Sequence, residues 1–408
     1  MTRPKVVQRI LGILLSIILR FGSSHVTGYT VGSKLLIVSF DGFRWDYLSR
    51  TDTPFFNWIK KRGVTARYGI KNAFVTKTLP NHFTLVTGLW EESHGIVGNE
   101  MWDDRLNETF SAWNDTQEAE SRWYDVGAQP VWVANQIQKK GLTGCMMWVG
   151  CQAPIQGVLP TYHIPYNGKV TNESRIDTVV EWLAGEHARE VNLALLYFEQ
   201  PDAFGHKYGP DSPQVTEMIK GLDKVVGYLL EQLQKKDLLK STNIIITSDH
   251  GFAATPKDLV INLDNYADPQ SYRVIQLTPV ATILPNEGMG EIIYRNLSKG
   301  AVENGNFQVY RKDEMPADYH YSHHWRIQPI IVVAHENYSF IYNHSTAPPP
   351  NFRKGTSVDT FESVDIYPLM CHLLGLKPAP NNGSLSTVQM LLLDRKEAST
   401  VLTFGTCE

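Results

Sequence analysis

The residues that could do chemistry in this chain fall into four groups: Asp41, Thr78, the pair Asp202 and His206, and the pair Asp249 and His250. Carboxylate oxygen and imidazole nitrogen together suit zinc, whereas all-oxygen ligand sets suit magnesium or calcium, so the mixture favours zinc. A threonine hydroxyl becomes a nucleophile when a metal or a neighbouring base draws off its proton. Each group also has an ordinary explanation. Asp41 could close a strand as a turn residue, Thr78 could be a plain helix N-cap, and an Asp–His pair could be hydrogen-bonded for structure alone. The groups gain weight together, because burying that many acids in one chain without cations is costly.

The elements that must position these residues are legible as apolar runs. Leu35 to Phe40 is rich in β-formers and stops at Asp41-Gly42, so Lys34 to Phe43 reads as a buried strand delivering an acid to its end. Val191 to Phe198 reads as a second such strand and leads into Pro201-Asp202-Ala203-Phe204-Gly205-His206. Asn243 to Thr247 is a third, ending in Ser248-Asp249-His250-Gly251. Ala73 to His82 reads as a short strand breaking into a turn, with a helix from about Asn81 to Gly88. That turn leaves Thr78 at a helix N-terminus, where free N–H groups favour an anion. Thr143 to Val149 is a further strand, and helices are expected over Pro54 to Arg62, Pro130 to Lys140, Ile176 to Leu183 and Pro213 to Lys236. Pro201 and Gly205 argue for a loop that folds Asp202 and His206 inward. Asn107 to Asp125 shows no clean period and reads as a surface excursion. The apolar runs Ala281 to Leu284 and Ile330 to Val333 continue the same domain, since no linker precedes them. Strands alternating with helices predict an α/β fold, a mostly parallel central sheet with helices on both faces, and ligands in such sheets gather at the carboxyl ends of strands.

The 408 residues are 42% apolar and 20% charged, enough to bury a large core, and the net charge of -4 provides no basic surface for a nucleic-acid polymer. Arg3, Lys5 and Arg9 precede the apolar run Ile10 to Leu19, followed by Gly22, Ser23 and Ser24, which is the pattern of a secretory signal over residues 1–24. The competing reading is an uncleaved signal anchor, the only membrane attachment the residues suggest; the end of the sequence, Thr403 to Glu408, has no hydrophobic tail for a lipid anchor. Asn-x-Ser/Thr sequons at Asn107, Asn114, Asn172, Asn296, Asn337, Asn343 and Asn382 fit a glycosylated protein at the cell surface or outside the cell. Four cysteines fit an oxidising compartment, with Cys145 paired to Cys151 and Cys371 to Cys407 as the expected arrangement. The residues specify no oligomeric state.

Five motifs in order carry a resemblance: Ser39-Phe40-Asp41-Gly42-Phe43-Arg44, Thr76-Lys77-Thr78-Leu79-Pro80-Asn81-His82, Glu92-Ser93-His94-Gly95-Ile96-Val97-Gly98-Asn99, Asp202 to Pro210, and Ser248-Asp249-His250-Gly251. They resemble those of the ectonucleotide pyrophosphatase/phosphodiesterase family, and most of all its smaller members, which lack somatomedin-like and nuclease-like modules. The resemblance runs from about Lys34 to Leu393, within a catalytic domain drawn at 32–395 and followed by a tail, 396–408. It implies an alkaline-phosphatase-like fold, two zinc ions and a nucleotide or other small phosphodiester substrate. By match of motif, Thr78 would be the nucleophile and share one metal with Asp41, Asp249 and His250. Asp202 and His206 would hold the other, and Asn99 would donate to a phosphoryl oxygen.

The chain departs from that family in two places. A further histidine, in a His-Gly-x-Asp-Asn motif, completes the second metal site in relatives, and that motif is absent here. The segment around 343–351, Asn343-His344-Ser345-Thr346-Ala347-Pro348-Pro349-Pro350-Asn351, replaces a longer stretch. The metal of Asp202 and His206 then keeps two protein ligands, below the three usual at a catalytic zinc, so one of the two sites is incomplete. His344, His323 and His324 are the available histidines, none with a motif behind it. Nucleotide-cleaving relatives also stack the base between a Phe that follows the nucleophile and a more distant Tyr; here Leu79 takes the first position and Tyr166 the second, though Tyr166 also reads as a surface aromatic. Choline-phosphate lipids are therefore the alternative substrate. A binding ectodomain that has lost turnover is the alternative function.

Overall fold

The computed structural model describes residues 34–256, 258–342, 361–389 and 392. The signal segment 1–24, the tail 396–408, Cys407 and the segment 343–351 with its His344 lie outside the described residues.

Four of the expected strands and one the sequence reading did not mark, Tyr162–Ile164, pair into one parallel sheet: β1 (Lys34–Phe40), β2 (Thr143–Met146), β3 (Tyr162–Ile164), β4 (Leu193–Phe198) and β5 (Thr242–Thr247), in the order β3-β2-β4-β1-β5. Every residue of β4 and all but the first of β1 are buried, so both faces of the sheet centre are covered, which is why these strands are written as continuous apolar runs. The strands stand in level register, with Val38 opposite Leu196 on one side and Ile246 on the other. Helix α1 (Thr78–Thr87) ends on Gly88 in the left-handed conformation, and α2 (Asn172–Ala184) packs on β4. Helix α3 (Asp202–Tyr208) follows β4. Helix α4 (Pro213–Lys235) is capped by the Ser212 hydroxyl and buries Ile219, Leu222, Val226, Leu229 and Leu233 at helical spacing.

The later apolar runs enter a second sheet that is antiparallel: β6 (Tyr272–Gln276), β7 (Val280–Pro285), β8 (Phe307–Arg311) and β9 (Ile330–Ala334), ordered β8-β9-β7-β6 around a core that includes Ile283, Leu297 and Val332.

Three local expectations are corrected. Asp202 to His206 is helical rather than a loop, because Pro201 sits at the N-cap, where a missing N–H costs nothing, and Gly205 faces Phe252 so closely that a Cβ would meet its ring at 3.1 Å. Asn107 to Asp125 is not merely a surface excursion: Phe110, Trp123 and Tyr124 are fully buried. Its elements, a hairpin of Glu100–Asp103 with Glu108–Ser111 and two four-residue helices, are too short to show a period. Ala73 to Val75 is no strand, since the Ala73 and Val75 N–H groups go to the side chains of Asn81 and Glu91, and α1 starts at Thr78, three residues earlier than expected. The Cys145–Cys151 disulfide is present, and Cys371 is buried in the helix Ile366–Leu374. Among the described residues no helix is long and apolar enough to cross a membrane.

Candidate active site

The three acids converge because β4, β1 and β5 are neighbours that end at one level. Asp41 N–H donates to Phe198 O at 2.9 Å, Asp202 N–H donates to Asp41 O at 3.0 Å, and Gly42 N–H donates to Asp249 Oδ1 at 3.1 Å. Gly42 makes the approach possible. Its φ is +66°, and a Cβ there would fall 2.9 Å from Asp202 Cβ. One ligand atom each of Asp41, Asp202 and His250 lies within 4.8 Å of the others. His250 Nε2 is 3.4 Å from Asp41 Oδ1 and 3.3 Å from Asp249 Oδ2, while His206 Nε2 is 3.2 Å from Asp202 Oδ2. Asp202 therefore bridges the two ligand groups that the motifs separate.

Burial, followed by the charges of Asp249 and Asp202, pushes the Asp41 carboxyl well above its ordinary range, although Tyr197 Oη–H donates to its Oδ2 at 2.6 Å. Burial also works against the Asp249 carboxylate, but the His250 and His82 rings and the Gly42 N–H outweigh it and hold that group below the usual value. Asp41 Oδ1, Asp202 Oδ1 and Asp249 Oδ2 are buried and have no hydrogen-bond donor among the described residues. Buried carboxylate oxygens without donors, gathered around an imidazole, are the chemistry of a divalent-cation site, so the residues present fit a metal.

A cavity of about 450 Å³ opens over this cluster and is lined by Thr78, Asn99, Asp202, His206 and His250. Thr78 is the first residue of α1, so its hydroxyl stands where the helix presents unpaired N–H groups. Asn99 Oδ1 accepts the Leu79 N–H at 3.0 Å, which leaves the Asn99 amide N–H groups as its donors beside Thr78. Leu79 itself is 4% exposed and Tyr166 52% exposed; Tyr166 lies edge-on to Tyr197, with ring centroids 6.1 Å apart, and neither Leu79 nor Tyr166 lines this cavity. His323 is exposed on Glu92, and His324 is buried against Trp325 and Gly95, away from the cluster. Among the described residues, the histidine that lines the cavity beyond the four groups is His335, just after β9.

Two contributors escaped the sequence reading. His82 is fully buried, with Nδ1 2.8 Å from Thr78 O and 3.6 Å from Asp249 Oδ2, and Nε2 2.9 Å from Ser39 Oγ. Burial holds it below the usual histidine value. Its signal was present in the chain, four residues after Thr78 on one helix face. Tyr197, the donor to Asp41, looked like any apolar residue of β4.

The family model for "Type I phosphodiesterase / nucleotide pyrophosphatase" matches residues 35–360. The chain is 42% identical over 381 residues to human ectonucleotide pyrophosphatase/phosphodiesterase family member 5, covering 88% of this chain and 78% of that one. It is also 42% identical over 397 residues to a mouse bis(5'-adenosyl)-triphosphatase, covering 91% and 85%. Among solved structures, the inactive threonine-to-alanine variant of murine ectonucleotide pyrophosphatase/phosphodiesterase 5, in complex with AMP, superposes with a TM-score of 0.82 at 40% identity, covering 88% of this chain and all of that one.

Proposed function

Because the chain belongs to the type I phosphodiesterase/nucleotide pyrophosphatase family, we propose that it is a zinc-dependent, secreted or cell-surface hydrolase that cleaves nucleotide pyrophosphate bonds through Thr78. Dinucleoside polyphosphates are the substrates favoured by the likeness to the mouse bis(5'-adenosyl)-triphosphatase. The observation that carries the reading is the convergence of Asp41, Asp202 and Asp249-His250 from three adjacent strand ends onto a cavity shared with Thr78.

Asp41, Asp249 and His250 would hold one zinc with Thr78, and Asp202 and His206 would hold the other. Zinc supplies Lewis-acid charge that makes a nearby hydroxyl a better nucleophile and offsets negative charge on phosphoryl oxygens. The chain's own groups supply the rest. Thr78 Oγ1 gives up its proton, which passes through solvent to the departing phosphate, and bonds to phosphorus as the bond to the leaving phosphate oxygen breaks; water then attacks the same phosphorus, the bond to Thr78 Oγ1 breaks, one water proton returns to the hydroxyl and the nucleoside monophosphate leaves. The Asn99 amide donates to a non-bridging oxygen, where charge accumulates in the transition state. His82 grips the carbonyl of Thr78 and so fixes the start of α1. The murine neighbour, inactive as a threonine-to-alanine variant, agrees with a threonine nucleophile.

The test is hydrolysis of a chromogenic nucleotide diester with zinc present, wild type beside Thr78→Ala, with zinc counted per chain by elemental analysis. The expected result is turnover in the wild type, a loss of at least about 1,000-fold in the variant, and bound zinc in the wild type. Equal background rates in both proteins would leave a binding ectodomain as the reading.

A further inference from the structure

The cavity over Thr78 carries an exposed aromatic ring, that of Trp113, which no step of the proposed mechanism uses. Trp113 is 72% exposed, whereas Trp123, Trp132 and Trp148 are fully buried. Among the described residues no aromatic ring packs on its indole. It nevertheless lines the same cavity as Thr78 and Asn99. Two hydrogen bonds hold it there: Asn99 Oδ1 accepts the Leu79 N–H at 3.0 Å, and Asn99 O accepts the Ala112 N–H at 2.9 Å. Trp113 is thus one residue from a backbone anchored to the amide that faces the phosphoryl group. Its own N–H donates to Ser111 Oγ at 3.4 Å, and Asn114 caps the short helix that follows, so the turn presenting the ring is tied at both ends. Lys77 lines the cavity as well, adding a cation suited to phosphate oxygens. An exposed indole at the mouth of a cavity with a nucleophile and a cation is suited to a flat, apolar, π-faced group joined to phosphates.

Resting on the proposed activity, we infer that Trp113 is the platform for the base of the leaving group, so that the site takes a nucleoside on both sides of the scissile bond. The transferred nucleotide stays with Thr78 and Asn99, the leaving phosphates pass beside Lys77, and the distal base stacks on Trp113. This makes Trp113 a specificity residue that separates dinucleoside polyphosphates from mononucleoside triphosphates.

The experiment compares diadenosine triphosphate with ATP, which share the transferred adenylate and differ in whether the leaving group carries a base. Trp113→Ala is expected to lower kcat/KM for diadenosine triphosphate by about tenfold, the scale of one base–aromatic stack, and to leave ATP within about twofold. Trp113→Phe should recover most of the loss. Equal losses on both substrates, or none on either, would overturn the assignment. A second readout does not need turnover: in Thr78→Ala, diadenosine triphosphate should quench tryptophan fluorescence and AMP should not, and the quench should vanish in Thr78→Ala/Trp113→Phe. If the wild type hydrolyses neither substrate, the proposed activity fails, and the quench still decides whether Trp113 meets a base; a quench that persists in the double variant refutes the platform.

Discussion

Gly42→Ala isolates the contact that brings the acids together. Two costs arise from one added carbon. At φ +66° an L-residue pays roughly 1–2 kcal/mol for the left-handed conformation. The new Cβ would lie 2.9 Å from Asp202 Cβ and 3.0 Å from its Cα, short of the 3.4 Å at which ordinary contact begins. A Cα cannot swing aside as a side-chain tip can, so the start of α3 must retreat, with an overpacking cost of about 1–3 kcal/mol. Together the variant should lose about 2–5 kcal/mol. At about 2 °C per kcal/mol, the melting temperature in chelator should fall by about 4–10 °C. Gly157→Ala is the control, because Gly157 has φ +72° and nothing within 4 Å of a built Cβ. It should show the conformational cost alone, about 2–4 °C. The retreat also pulls Asp202 from Asp41 and His250, so zinc affinity, read by competition with a chromogenic chelator, should weaken about 10–100-fold in Gly42→Ala and stay unchanged in Gly157→Ala. Equal melting shifts in the two variants, with wild-type zinc affinity in Gly42→Ala, would refute the argument that close approach at Gly42 assembles the site.

Two further predictions concern buried groups. His82→Ala removes the ring's hydrogen bonds to Ser39 Oγ and Thr78 O, at about 1–3 kcal/mol for a group left unsatisfied, and takes the imidazole from beside Asp249; because His82 acts through Thr78 rather than on substrate, steady-state kinetics should show kcat falling more than KM rises, and an unchanged kcat would contradict that role. Glu91 is fully buried, accepts the Val75 N–H through Oε1, and has no donor on Oε2, so burial raises its carboxyl to about 8. A carboxyl whose folded-state value is raised binds more protons folded than unfolded, so between about 4.5 and 8 its contribution to stability falls as pH rises, by a few kcal/mol in all. Glu91→Gln should flatten that slope, and melting curves from pH 5 to 9 should show the variant gaining on the wild type toward pH 9; parallel curves would count against the assignment.

The chemistry was legible where it coincides with strand ends. Parallel strands at a sheet centre are apolar on both faces, so β1, β4 and β5 announce themselves as runs, and the acids within a few residues of their ends, Asp41, Asp202 and Asp249, stand out by contrast. Local signals misled where packing outweighed propensity. Pro201 and Gly205 look like helix breakers, yet α3 forms because one occupies the cap and the other abuts Phe252. Trp123 and Phe110 carry no readable period, and their burial comes from elements of four residues held by the rest of the chain. Leu79 stands where nucleotide-cleaving relatives carry the first ring of a base clamp, and α1 turns it into the core while Tyr166, at the second position, stays at the surface.

By itself, then, the order of residues determines the class of fold and points to candidate residues for the site, because apolar runs, an Asp–Gly strand exit and neighbouring Asp and His residues are local patterns that need no partner to be recognised. Which strands are neighbours, and hence which acids meet, is a matter of pairing between residues far apart in the chain, Leu35 with Leu193 and Lys34 with Thr242, and only the sheet order β4-β1-β5 decides it. The same holds for the imidazole of His82 against Asp249, the Tyr197 hydroxyl on Asp41, and the exposed indole of Trp113 beside Asn99. Each depends on a distance through space that no spacing along the chain encodes.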